Sequence, residues 1–120
     1  SGAGPFPLSL TAPGFFLRQG RASLWAGVTL PEELTALHRA EGDILRRVCG
    51  LRESGAYRPH VTLARVRGAS RASLEAFLHE NASPAWAGKS FPVSSSALVK
   101  SDLTPAGSVY HIIERFFPGP

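Results

Sequence analysis

Apolar and polar residues alternate from Pro5 to Thr11 as they do on a strand buried on one side, and the Pro13-Gly14 pair is expected to end that strand. Leu24 to Val28, a short apolar run after a basic loop from Arg18 to Arg21, reads as a second strand. The spacing of apolar positions then lengthens. Leu34, Leu37, Ile44, Leu45 and Val48 line one side of a helix predicted from Pro31 to about Cys49, with Gly50 as its stop. Thr29 and Glu32 have the three-residue spacing of a capping box, and Pro31 suits a first turn, where a missing amide costs nothing. Gly42 opposes the helix by about 1 kcal/mol relative to Ala.

After a loop from Arg52 to Pro59 that contains Ser54-Gly55, the β-branched and aliphatic residues of Val61 to Val66 predict a third strand. Ser70 is placed to cap a short helix with Leu74, Phe77 and Leu78 on one side, ended by Asn81 and Pro84. Phe91 to Lys100 and Ser108 to Phe117 are expected to pair as a hairpin turning at Thr104-Pro105-Ala106-Gly107. The order β-β-α-β-α-β-β predicts an α+β fold with a largely antiparallel sheet and two helices, in a single domain over residues 1–120.

Composition narrows the function. No apolar run approaches the roughly 18 residues that a membrane helix needs, so no membrane role is expected. The single cysteine, Cys49, excludes an intramolecular disulfide and a paired-thiol zinc site; it is expected to be a small buried side chain, and a reducing cytoplasm fits. No metal or other cofactor is expected. Thirteen Lys and Arg against nine Asp and Glu give a net charge of +4. Only Lys89 and Lys100 are lysines, and the rest are arginines, whose guanidinium forks onto phosphate oxygens, so an anionic partner such as a nucleic acid or a nucleotide is favoured. Methionine is absent even at position 1, and a chain starting Ser1-Gly2-Ala3-Gly4 is expected to be processed or cut from a longer one.

The segment richest in chemistry is Arg58-Pro59-His60-Val61-Thr62-Leu63-Ala64-Arg65. Side chains alternate along a strand, so His60 and Thr62 share one face while Val61 and Leu63 anchor the other. Strict alternation puts Arg65 opposite His60, acting from the strand end or through its length. A histidine two residues before a threonine also fits an ordinary surface position at a strand start. Pro59 drives Arg58 out of helical space and makes a clean entry into the strand.

That segment resembles the second signature of the two-histidine phosphoesterase superfamily, whose members carry two His-x-Thr/Ser-x motifs. It is most similar to the RNA 2′,3′-cyclic phosphodiesterases, also called 2′-5′ RNA ligases. The resemblance extends to Phe6-Pro7-Leu8-Ser9-Leu10, Leu24 to Val28, Leu34 to Leu37, Phe91-Pro92-Val93, Ser101 to Gly107 and Val109-Tyr110, essentially from end to end. It implies a two-lobed fold, incomplete here, in which this chain is the C-terminal portion and lacks the N-terminal strands with the first motif. It implies that His60 is one of two catalytic histidines, that Thr62 hydrogen-bonds the phosphate and that Arg65 contacts substrate. Two imidazoles suit the opening of a cyclic phosphate, because one proton leaves the nucleophile and one joins the leaving oxygen.

The other histidines read His38-Arg39-Ala40, His79-Glu80-Asn81 and His111-Ile112-Ile113, and none repeats the motif. Gly88-Lys89-Ser90 ends like a phosphate loop, but Ser83 stands where that motif needs its first glycine. His79-Glu80 lacks the second histidine of a zinc-protease helix. Arg46-Arg47 suits a helix C-terminus without any ligand. Phe15-Phe16 with Arg18 and Arg21 could stack a base and grip phosphate, but an ordinary core edge beside a basic loop is the reading favoured here. The leading expectation is a cyclic phosphodiesterase acting on RNA or nucleotide 2′,3′-cyclic phosphates, with this chain alone inactive. A noncatalytic RNA- or nucleotide-binding module is the alternative. The expected partners are the missing N-terminal segment and, through an open sheet edge, a second copy.

Overall fold

The structure, a computed structural model, describes residues 5–51 and 55–116. The loop positions 52–54, the first four residues and the expected strand end at Phe117 lie outside the described residues. Eight elements follow in order: β1 (Phe6–Arg18), β2 (Arg21–Val28), α1 (Glu32–Cys49), β3 (His60–Arg67), α2 (Arg71–Glu80), β4 (Ser90–Val93), β5 (Ser96–Thr104) and β6 (Gly107–Phe116). Strands in the order β3-β2-β1-β4 form one sheet, β5 and β6 form a separate hairpin, and every pairing is antiparallel. The α+β class with two helices is the one expected.

The first strand is longer than its pattern suggested. It passes through Pro13-Gly14 and ends at Arg18, because the register slips between Leu10 and Pro13 and the amide that proline lacks falls beside this irregularity. The basic loop contracts to a two-residue turn, Gln19-Gly20, with φ of 52° and 76°, the primed geometry that matches the twist of the strands it joins. The stretch from Phe91 to Lys100 is two strands. β4 pairs with β1 and β5 pairs with β6, so one predicted element serves two sheets.

The helix ends follow local chemistry with one exception. Gly50 closes α1 in the left-handed region at φ 67°, and its amide donates to the Arg46 carbonyl at 3.1 Å. Ser70 caps α2 by accepting from the Ser73 amide at 3.1 Å. The expected capping box at Thr29 does not form. Pro31 is the N-cap of α1, and the Thr29 hydroxyl instead accepts from the Ser9 amide at 3.0 Å, tying the end of β2 to β1. Cys49 is exposed in the last turn of α1 and not buried, since that turn extends beyond the sheet-facing stretch that begins at Leu34.

Phe6 and Leu8 of β1 bury against Leu34 of α1, with Val28, Leu37, Tyr57 and Val93 around them. Leu74 of α2 is buried and that helix packs on β1, while the Arg71 guanidinium lies 5.4 Å from the Phe15 ring centre. The hairpin β5–β6 joins α1 through a hydrogen bond from the Ser96 hydroxyl to Glu41 at 2.9 Å. It leaves Leu103, Tyr110, Ile112 and Ile113 exposed.

Candidate active site

Cross-strand partners in an antiparallel sheet project to the same side, so the register sorts the faces. Gly14, Phe16 and Arg18 on β1 oppose Trp25, Ser23 and Arg21 on β2; these and Gly27 in turn oppose Thr62, Arg65, Arg67 and His60 on β3. All of these share one face. Phe15, Leu24 and Ala64 fall on the other, with the buried Ala22 and Ala26.

This register corrects the expected position of Arg65. Leu24 pairs with Ala64 but Trp25 pairs with Thr62, so Leu63 is an extra residue, a β-bulge that shifts the alternation by one. Arg65 therefore stands on the same face as His60 and Thr62, where its guanidinium donates to the Ser23 hydroxyl at 3.3 Å. Val61 and Leu63 do not anchor a core as expected. They are 44% and 53% exposed, since β3 is the sheet edge and Leu63 has no partner across the ladder.

His60 opens β3, and its Nδ1 lies 2.7 Å from the Arg58 carbonyl. In the neutral ring a carbonyl partner calls for the proton on Nδ1, which leaves the Nε2 lone pair for other work. The ring meets Phe16 edge-on at 5.1 Å between centres and Trp25 at 5.7 Å, while Phe16 and Trp25 are themselves 5.3 Å apart. This aromatic wall orients an imidazole that is otherwise exposed to solvent. Two glycines make room for it. A Cβ on Gly14 would fall 2.1 Å from the Trp25 ring, so Trp25 lies across bare backbone there, and one on Gly27 would fall 2.3 Å from the Thr11 hydroxyl. The Trp25 indole nitrogen is buried without a partner among the described residues.

The favoured reading of Phe15-Phe16 as one core edge is thus half right. Phe15 faces α2, but Phe16, set aside as a stacking residue in that reading, belongs to the His60 face, and Trp25 and Ser23 beside it were missed. The signal was present, since adjacent residues on a strand must diverge. A groove of about 1040 Å³ runs beside this wall, bordered by Phe16, Arg18, Arg21, Trp25, Arg58 and Arg71.

None of the other histidines joins His60. His38 stacks flat on Tyr57 at 3.6 Å, His111 lies 3.3 Å from Asp102 on the hairpin, and His79 sits in the last turn of α2. Among the described residues there is no group of three or more His, Cys, Asp or Glu side chains arranged to hold a metal ion. No described helix is long and apolar enough to cross a membrane.

His60, Thr62 and Arg65 thus stand on one open face of the sheet. The chain belongs to the 2′-5′ RNA ligase superfamily, whose family model matches residues 1–105. It is 34% identical over 113 residues to an RNA 2′,3′-cyclic phosphodiesterase of Methanothermobacter thermautotrophicus, covering 93% of this chain and 60% of that protein. It is 29% identical over 120 residues to an RNA 2′,3′-cyclic phosphodiesterase of Thermus thermophilus, covering 93% of this chain and 55% of the relative. A crystal structure of a Thermus thermophilus protein superposes with a TM-score of 0.64 at 25% identity, covering 95% of this chain and 61% of the other. The chain thus spans less than two thirds of the length of these relatives.

Proposed function

We propose that this chain carries one half of the active site of an RNA 2′,3′-cyclic phosphodiesterase. The observation that supports this most is the shared face of His60, Thr62 and Arg65, with the His60 Nδ1 held by the Arg58 carbonyl. Water attacks the phosphorus, the bond to the 3′ oxygen breaks, and a 2′-phosphomonoester with a free 3′-hydroxyl results. One proton leaves the water and one joins the 3′ oxygen. His60 handles one of these transfers through Nε2, Thr62 donates a hydrogen bond to a phosphate oxygen, and Arg65 contacts the substrate phosphate. Sealing a 2′-5′ linkage is the related reaction proposed for the same site.

The second histidine is proposed to come from sequence outside these 120 residues, on a segment that completes the cleft. The relatives' greater length favours this, as do the stacking of His38 on Tyr57, the pairing of His111 with Asp102 and the place of His79 at the end of α2. The experiment is hydrolysis of a 2′,3′-cyclic nucleotide by the chain alone and after addition of the completing segment in trans. Negligible turnover alone and partial recovery on addition are expected. Robust hydrolysis by the chain alone, abolished by His60→Ala, would overturn the divided site and direct attention to His111. The single histidine in the site favours one other reading, a noncatalytic RNA- or nucleotide-binding module; binding without turnover by the full-length parent would select it.

A further inference from the structure

Eleven arginines are present, and six of them border two adjoining grooves. The first groove has Arg18, Arg21, Arg58 and Arg71 on its borders. A second, of about 850 Å³, lies between the sheet and the β5–β6 hairpin, with Arg21, Arg65 and Arg67 on one wall and Tyr110 and Ser108 on the other. The two meet at Arg21 and Ser23. No described carboxylate borders either groove, and none of the six arginines forms an ion pair with a described carboxylate. Asp102 pairs with Lys100 and His111, whose side of the hairpin is opposite to that of Ser101 and Tyr110. Like-charged guanidiniums held together without counter-charges form a site for a polyanion.

Distance decides its length. His60 is level with Gly27 and Arg67 is level with Arg21, six residues along β2 and therefore about 20 Å away. A single cyclic phosphate at His60 cannot reach Arg67, whereas a polynucleotide backbone can. Tyr110 is 63% exposed on the wall opposite the arginines, so one of its ring faces is open to a base.

We propose that Arg21 and Arg67 form a second phosphate subsite, with Tyr110 as the stacking platform for a base beside it, and that the ligand is a single-stranded oligoribonucleotide running along the sheet from His60 to this groove. The inference rests on the cyclic-phosphodiesterase reading only for the position of the reacting end. Its test uses equilibrium binding, which needs no turnover.

Two probes are compared by fluorescence anisotropy with the 120-residue chain: a labelled single-stranded RNA hexamer ending in a 2′,3′-cyclic phosphate, and a labelled 2′,3′-cyclic mononucleotide. The hexamer binds at least tenfold more tightly. Arg21→Ala with Arg67→Ala removes most of that advantage, lowers the hexamer's salt slope by about 1.4, and leaves mononucleotide binding unchanged. Tyr110→Ala weakens hexamer binding about fivefold or more, and Tyr110→Phe restores it. Equal affinities for the two probes, an equal loss of both in the double variant, or equally tight binding of a heparin oligosaccharide of matching charge would each overturn the subsite. Hexamer binding that depends on Arg21 and Arg67 in a protein whose completed form hydrolyses neither probe would sustain the subsite and refute the enzymatic reading.

Discussion

The two faces of the strands β1 to β3 come from the same residues taken alternately, yet they solve opposite problems. The helix-covered face uses small and aliphatic side chains, among them Ala22 and Ala26, with Phe6, Leu8 and Leu34 forming the core where β1 meets α1. The open face carries Phe16, Trp25, His60, Thr62 and a row of arginines, with glycine under the largest ring. Burial stabilises the first; the second keeps polar and aromatic groups accessible, with little burial energy to hold them. What holds them is geometry: cross-strand register, one backbone hydrogen bond to an imidazole, and ring-on-ring contact. Changes on the covered face should therefore appear in stability, and changes on the open face in chemistry.

The largest contrast is expected from His60→Ala in the chain supplemented with the proposed completing segment. Cyclic-phosphate hydrolysis should fall about 10² to 10⁴-fold while far-UV circular dichroism and the melting temperature stay where they were. Retained activity would remove His60 from the mechanism, and a large loss of fold would erase the distinction between the faces. Leu34→Ala tests the other side. Truncating a buried leucine costs about 2 to 5 kcal/mol, so chemical denaturation should show a sharply lower midpoint, while the hydrolysis proposed for the supplemented chain should persist under conditions where it remains folded.

Arg65→Ala should act more weakly and only on binding. Loss of one phosphate contact on a single strand lowers the dependence of log affinity on log salt by about 0.7, with no change in melting temperature. A slope identical to that of the unaltered chain would place Arg65 outside the interface. The smallest effect is expected from deleting Leu63. Without the extra residue, Arg65 still faces Ser23 and Thr62 still faces Trp25, so RNA affinity should stay within about threefold; a loss equal to that of Arg65→Ala would mean that the bulge positions the guanidinium by twist as well as by register.

The sequence made the helices legible because their ends are local. Gly50 and Ser70 act on the backbone within one turn, and both perform as their residue types predict. Thr29 shows the limit, since its hydroxyl is taken by a residue twenty positions earlier, and the short-range pattern carries no record of that competitor. The strands were less legible for the same reason. Pro13-Gly14 reads as a break until it is seen that β1 slips its register there and that Gly14 lies beneath a tryptophan. That His60 and Thr62 share a face was readable from an eight-residue segment. The face of Arg65 was misjudged because a bulge exists only in relation to the partner strand. Phe16 was weighed and set aside and Trp25 was passed over because each is an ordinary apolar residue until a cross-strand neighbour gives it a role.

The bare backbone under Trp25 also has an optical consequence. The chain has two tryptophans, and Trp86 donates its indole proton to the Thr11 carbonyl at 3.1 Å, whereas Trp25 has no such bond among the described residues and borders the His60 ring. Their emission should therefore separate. With Trp86→Phe in place, the remaining indole is a built-in fluorophore at the site, sensitive to the charge of the neighbouring imidazole and to any nucleobase that enters the groove. Occupancy could then be followed by intrinsic emission alone, with no label on the RNA.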